Sequence, residues 1–310
     1  MRIVVTGAAG FIGSHLADSL ARAGHSVIGI DAFTDYYDIA LKEKNAEIVR
    51  DAGATILRLD LAEDNLVEAL KGAEIIYHLA AQPGISSDTP FELYERNNIL
   101  ATHRLLEAAS DVPSIKAFVN ISTSSVYGNQ ATGDETRVPT PTSFYGVTKL
   151  AAEELALSYG RAKRLPVTSL RIFSVYGERE RPEKFFPKLI KSAFSGDHVP
   201  LFAGSETHRR SFTYVGDVVR ALERIIDVYP QCLGEIINVG NPTSVSVQDV
   251  IDSVAFITGK TIAIDTKPAR SGDQITTQAV VAKAEKLLGY IPLTPLDEGL
   301  EKEIAWVQSL

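Results

Sequence analysis

In Arg2-Ile3-Val4-Val5-Thr6-Gly7-Ala8-Ala9-Gly10-Phe11-Ile12-Gly13, a β-branched run enters a glycine-rich turn and leaves it as a segment of helical period over 12–23. Strand, tight turn and helix in that order begin a βαβ unit. Glycines let the backbone approach a ligand closely, and the free N–H groups of a helix's first turn point at an anion, so this turn suits a pyrophosphate. The spacing is Gly7-x-x-Gly10-x-x-Gly13 rather than G-x-G-x-x-G, and taken alone such a turn can also serve backbone geometry only.

The same alternation continues along the chain. Short β-branched runs at 2–5, 26–30, 55–58, 75–78, 116–121, 167–172 and 236–239 read as strands, apolar as strands covered on both faces are. Helical patterns fall at 12–23, 66–70, 98–110, 145–164 and 184–195, and in the last third at 247–258 and 283–288. The expectation is an α/β fold: a doubly wound parallel sheet with a second, smaller α/β lobe. Residues 1–173, with 214–242 returning to the sheet, form the first part; 174–213 and 243–310 form the lobe.

Composition narrows the function. The chain has 310 residues, 45% apolar and 23% charged, with a formal net charge of −8. An acidic surface does not coat phosphates, so nucleic acid is excluded as a partner. No long apolar segment follows the first strand, so neither a leader nor a membrane span is expected, and the chain is read as cytoplasmic. Cys232 is the sole cysteine, which rules out an internal disulfide or a thiolate cluster, and no metal is implied.

Asp31 ends the second strand, where a carboxylate can accept hydrogen bonds from an adenosine ribose and would repel a 2′-phosphate. That favours NAD over NADP; the alternative for Asp31 is a solvated strand end. Tyr145 and Lys149 stand four apart at the start of a helix, on one face. A cationic neighbour lowers a phenol's pKa, so this pair suits an acid/base tyrosine. Before it, the strand over 116–121 delivers the hydroxyls of Ser122-Thr123-Ser124-Ser125 to the carboxyl edge of the sheet, where open α/β folds bind ligands.

Thr6-Gly7-x-x-Gly10-x-x-Gly13, His78-Leu79-Ala80-Ala81-Gln82, Ser122-Thr123-x-x-Val126-Tyr127-Gly128, Tyr145-x-x-x-Lys149 and Arg210-x-Phe212-x-Tyr214-Val215-x-Asp217 follow one another in the order seen in extended short-chain dehydrogenases. Over essentially its full length the chain resembles the NAD-dependent nucleotide-sugar epimerase/dehydratase family. The resemblance implies that Gly7, Gly10, Phe11, Ile12, Gly13, Asp31, Asp60, Leu61, Leu79, Ala80, Ala81, Asn98 and Ser122 serve the cofactor together with Tyr145 and Lys149. It implies Thr123, Tyr145 and Lys149 as the catalytic set, and Arg210, Arg270 and Asp273 as contacts to the nucleotide of a UDP-sugar.

Members diverge after removing a hydride from C4. Dehydratases resemble Thr-Asp-Glu, and decarboxylases Thr-Ser-Glu, where this chain has Thr123-Ser124-Ser125. The serines, Ser174 and Arg181-Pro182-Glu183 are similar to UDP-glucuronate 4-epimerases, although Ser174, Glu183 and Lys184-Phe185 depart from their usual Thr, Asp and Met-Ala. A 4-keto uronic acid loses CO₂ readily, and hydroxyls at Ser124, Ser125 and Ser174 with the Arg181 cation suit a site that holds its carboxylate still. The expected activity is interconversion of UDP-glucuronate and UDP-galacturonate. Alternatives are a UDP-glucose or N-acetylhexosamine 4-epimerase, a decarboxylase or dehydratase, and, from another class, a non-catalytic NAD-binding regulator. The helices at 98–110 and 145–164 could form the homodimer interface that the family resemblance implies.

Overall fold

The computed structural model describes residues 1–84, 89–268 and 275–310. All seven expected strands are present: β1 (Arg2–Thr6), β2 (Ser26–Asp31), β3 (Thr55–Arg58), β4 (Ile75–His78), β5 (Ala117–Thr123), β6 (Val167–Ile172) and β7 (Ile236–Val239). They form one parallel sheet in the order β7-β6-β5-β4-β1-β2-β3. Strand order reverses between β1 and β4, which opens a crevice at the carboxyl edge there.

Helices cover both faces. On one side lie α1 (Phe11–Arg22), α2 (Ile39–Asp51) and, further along the chain, the helix Val215–Cys232. The opposite side carries α3 (Val67–Leu70) and a longer unit in which α4 (Phe91–Tyr94) runs through a π-helical turn, Glu95–Leu100, into α5 (Ala101–Ser110). Beside it lies α6 (Phe144–Arg161), which stops three residues short of expectation because Lys163 turns into the left-handed region at φ 55°. In chain order the remaining helices are α7 (Phe185–Ser195), α8 (the Val215–Cys232 helix), α9 (Val247–Thr258), α10 (Ala282–Leu288) and α11 (Leu296–Gln308).

Helices α2, α8 and α11 were not anticipated from the sequence. Charged residues crowd α2, and Pro230 lies inside α8, where it removes one backbone donor. Helices α7, α9 and α11 pack together, and Val199–Phe202 pairs in parallel with Ile264–Lys267. A small sheet joins Val245–Ser246, Arg209–Arg210, Thr276–Thr277 and Gln130–Ala131. Its last strand comes from the segment after β5. Among the described residues, no helix is long and apolar enough to cross a membrane.

Asp217 ties the C-terminal segment to α8. It is 1% exposed and accepts the amides of Leu293 (3.1 Å) and Thr294 (3.2 Å) and the Thr294 hydroxyl (3.2 Å), with the Arg220 guanidinium also on its carboxylate. Asp217→Ala removes the acceptor these donors share and should cost about 2–3 kcal/mol of stability, read as a lower midpoint in urea unfolding.

Candidate active site

The crevice is a cleft of about 400 Å³. At its floor Gly7 has φ +70°, and a Cβ there would lie 2.9 Å from the Ala80 amide nitrogen. A Cβ on Gly13 would lie 2.1 Å from the Gly7 carbonyl oxygen, so the first turn of α1 can sit on β1 only with glycine at that position. The three-residue glycine spacing thus builds an anion cradle open to the cleft.

Asp31, at the end of β2, accepts the amides of Ala9 (2.9 Å) and Phe33 (2.8 Å). Each oxygen keeps a further lone pair, and the residue lines the cleft. Lys42, not anticipated, is 6% exposed beside it and donates to the Thr34 carbonyl at 2.6 Å and hydroxyl at 3.1 Å. Asp60 lines the wall with Leu61 and is ion-paired with Arg96 at 2.8 Å.

Behind the glycine turn, Thr6 Oγ1 accepts from the Ala80 amide and bonds His78 Nδ1 at 2.9 Å, while His78 Nε2 bonds Thr102 Oγ1 at 2.9 Å. Thr102 gives its proton to the Asn98 carbonyl, so Nε2 is the protonated ring nitrogen. Burial, with Lys149 nearby, pushes His78 down to about 3 and keeps it neutral. Asn98 lies behind the cleft wall. Its amide closes on the Gln82 backbone (2.7 and 3.2 Å) and donates to Thr148 on α6 (3.0 Å), fixing two segments that line the site or carry it.

Thr123, Tyr145 and Lys149 meet where β5 faces the start of α6. Ser143 caps that helix through the Gly146 amide (3.1 Å), and Gly146 packs so closely that a Cβ would lie 2.8 Å from the Ser125 carbonyl. Thr123 Oγ1 accepts from the Ser125 amide at 3.1 Å and hydrogen-bonds the Tyr145 phenol. Burial raises Tyr145 above its ordinary pKa, against the Thr123 bond and the Arg181 charge. Lys149 is 4% exposed and donates to the Ile121 carbonyl at 2.5 Å; burial pushes it down to about 8. The Ser122 hydroxyl is buried beside the cleft and has no hydrogen-bond partner among the described residues.

Ser124, Ser125, Ser174 and Arg181 line the same cleft, as do Phe11, Ile12, Gly10, Leu79 and Ala81. Arg181 is ion-paired with Glu183 at 2.6 Å and lies over the Tyr36 ring, 5.3 Å from its centroid. Arg210 is not among the lining residues; its Nη1 donates to the Arg209 carbonyl at 3.2 Å. Arg270 and Asp273 lie outside the described residues. Two more cleft residues, besides Lys42, escaped the sequence reading. Lys184 is exposed at the cleft, and Glu180, pushed up to about 7 by burial, faces fully buried Glu303 of α11. No sequence periodicity links Glu180 and Glu303, which are distant in the chain. Among the described residues, no group of three or more His, Cys, Asp or Glu side chains is placed to hold a metal.

With the fold and cleft in view, the chain belongs to the NAD dependent epimerase/dehydratase family, whose model matches residues 3–240. It is 39% identical over 315 residues to an uncharacterized UDP-glucose epimerase, YtcB of Bacillus subtilis, covering 100% of this chain and 99% of that protein. It is 33% identical over 331 residues to UDP-glucuronate 4-epimerase 4 of Arabidopsis thaliana, covering 99% of this chain and 75% of that one. The crystal structure of UDP-glucuronic acid 4-epimerase from Bacillus cereus with UDP-glucuronic acid and NAD superposes with a TM-score of 0.95 at 36% identity, covering 100% and 99% of the two chains.

The Glu180–Glu303 pair carries a pH signature. Both carboxyls are raised in the fold and ordinary in the unfolded chain, so between the ordinary carboxylate range and about 7 unfolding releases protons and stability falls as pH rises. Glu303→Gln removes one acid and gives Glu180 a donor. Its melting temperature should decline less than wild type's between about pH 5 and pH 8, with the gap opening towards the alkaline end, by scanning calorimetry.

Proposed function

We propose that the chain is an NAD-dependent UDP-sugar 4-epimerase whose substrates are UDP-glucuronate and UDP-galacturonate. The observation that carries this reading is the make-up of the cleft around Thr123: three hydroxyl residues, Ser124, Ser125 and Ser174, with Arg181, on the same cleft as the Thr123–Tyr145 hydrogen bond. The likeness to the Bacillus cereus enzyme supports it. In this reading the cradle of Gly7, Gly10 and Gly13, Asp31 and Ser122 hold the cofactor, and the lobe of 174–213 and 243–310 takes the nucleotide. NAD, when bound, takes up the C4 hydride and returns it.

Tyr145 performs the proton step. Its phenol shares a hydrogen bond with Thr123, which places it to accept the proton of a sugar hydroxyl held by the same threonine. Burial keeps the phenol protonated in the chain as it stands, so added positive charge in the cleft is what frees it to act as a base. The serine hydroxyls and Arg181 hold the uronate carboxylate in the ring plane, away from the alignment that expels CO₂. In the second reading the substrate is UDP-glucose, and Arg181's existing pairing with Glu183 favours it, because the cation is already compensated before any acid binds.

A homodimer and a cytoplasmic location complete the proposal. Phe91, Leu93, Leu100, Phe144 and Val147, on α4, the π-helical turn and α6, are exposed apolar residues on the face the partner would cover.

Tyr145→Phe should lower turnover by about 10² to 10⁴ with substrate affinity nearly unchanged, measured by interconversion of the UDP-sugars. Arg181→Ala should weaken UDP-glucuronate by about one to two orders of magnitude, leave UDP-glucose far less affected and raise the fraction released as a decarboxylated 4-keto-pentose. Equal weakening of both sugars, or turnover of UDP-glucose alone, would hand the site to the plain hexose epimerase.

A further inference from the structure

Lys149 has an unusual neighbour along its own helix. Four residues on, and therefore on the same face, Glu153 is 0% exposed. Its carboxylate receives Arg171 Nη2 at 2.6 Å and Nε at 3.1 and 3.2 Å. Arg171, on β6, is 2% exposed and lies over the Tyr127 ring, 4.8 Å from its centroid. The Ser169 hydroxyl adds a contact to Glu153 at 3.4 Å.

A buried ion pair gains little net stability, because removing two charges from water offsets most of their attraction. The pair therefore invites a role other than holding the fold. We propose that Glu153, bridged to Arg171, is a positioning residue that holds Lys149 as an ammonium at the seam between α6 and β5. Among the described residues, the groups facing that ammonium leave it no other anion. Tyr145, one turn earlier, is a protonated phenol; His78, on β4, is neutral; Ile121, on β5, presents a carbonyl oxygen. Burial works to strip the proton from Lys149, and Glu153 opposes it. The forked guanidinium gives the wholly buried Glu153 carboxylate a counter-charge through three short contacts. Charges thus alternate in a row, Arg171, Glu153, Lys149, ending where the cofactor sits in the reading above. The inference rests on that cofactor reading and is independent of which sugar binds.

The test compares wild type with Glu153→Gln and with Glu153→Gln/Arg171→Met, a double variant that replaces the pair by neutral groups. NAD affinity is measured by titration calorimetry from about pH 6 to pH 9, beside UDP-sugar turnover over the same range. Loss of an adjacent opposite charge moves a pKa by about one unit or more, so in both variants the alkaline fall of affinity and turnover should begin about one unit earlier. At about pH 8 that is a roughly fivefold deficit, approaching about tenfold by pH 9 and closing to within about twofold near pH 6. Glu153→Asp, which keeps the charge, should restore the wild-type profile.

If the pair only braces the fold, Glu153→Gln will melt early, the double variant will recover, and both will keep the wild-type pH profile; that result overturns the proposal. Failure of both charge-removed variants to fold assigns the pair to stability and overturns it equally. A wild type that binds no NAD at any pH would sink the cofactor reading and this inference together, whereas binding with an unshifted profile sinks the inference alone.

Discussion

The rest of the structure depends on how closely α1 can approach the sheet. With a 2.1 Å gap between the Gly7 carbonyl and where a Gly13 Cβ would stand, no other side chain fits without moving backbone. That contact seats the helix's free N–H groups at the crevice where strand order reverses, and it sets the height of the Ala80 segment beside them. Thr6, His78, Thr102 and Asn98 then run back from this point as one buried hydrogen-bonded chain. Through Thr148 the chain reaches α6, so the cradle and the tyrosine helix share a single rigid reference.

Electrostatics divides the cleft into two regimes. Around Tyr145 and Lys149 the polar groups are starved of water, so both the phenol and the ammonium are pushed towards their neutral forms. Around Arg181 charges are matched locally: Arg181 with Glu183, and Glu180 with Lys184. A substrate that brings its own anion must displace part of that matching, which makes acidity of the sugar something this end of the cleft can sense.

Strands of a parallel sheet are legible in a sequence because their runs are short, β-branched and mostly apolar, and all seven were read within two residues of their ends. Helices were harder. The π-helical turn at Glu95–Leu100 breaks the 3.6-residue period just where Asn97 must reach the cleft while Asn98 turns inward, so a period-based reading starts that helix late. Motif residues such as Gly7, Asp31, Thr123, Tyr145 and Lys149 were legible because each needs its type at a fixed spacing. Lys42, Glu180 and Lys184 were not, since nothing in their local spacing says which loop they will face. Glu153 and Arg171 look in sequence like ordinary charges on a helix and a strand; only burial shows them to be paired.

The small sheet carries a mechanical consequence. Gln130–Ala131 follows the serine segment by a few residues, and it pairs with Thr276–Thr277, which in turn joins Arg209–Arg210. The loop leaving Ser124 and Ser125 is therefore stitched to the lobe across the cleft rather than to the parallel sheet from which it emerges. A displacement of Thr276–Thr277 is transmitted through that pairing to the loop that carries the two serine hydroxyls, and reaches the glycine cradle only through the parallel sheet.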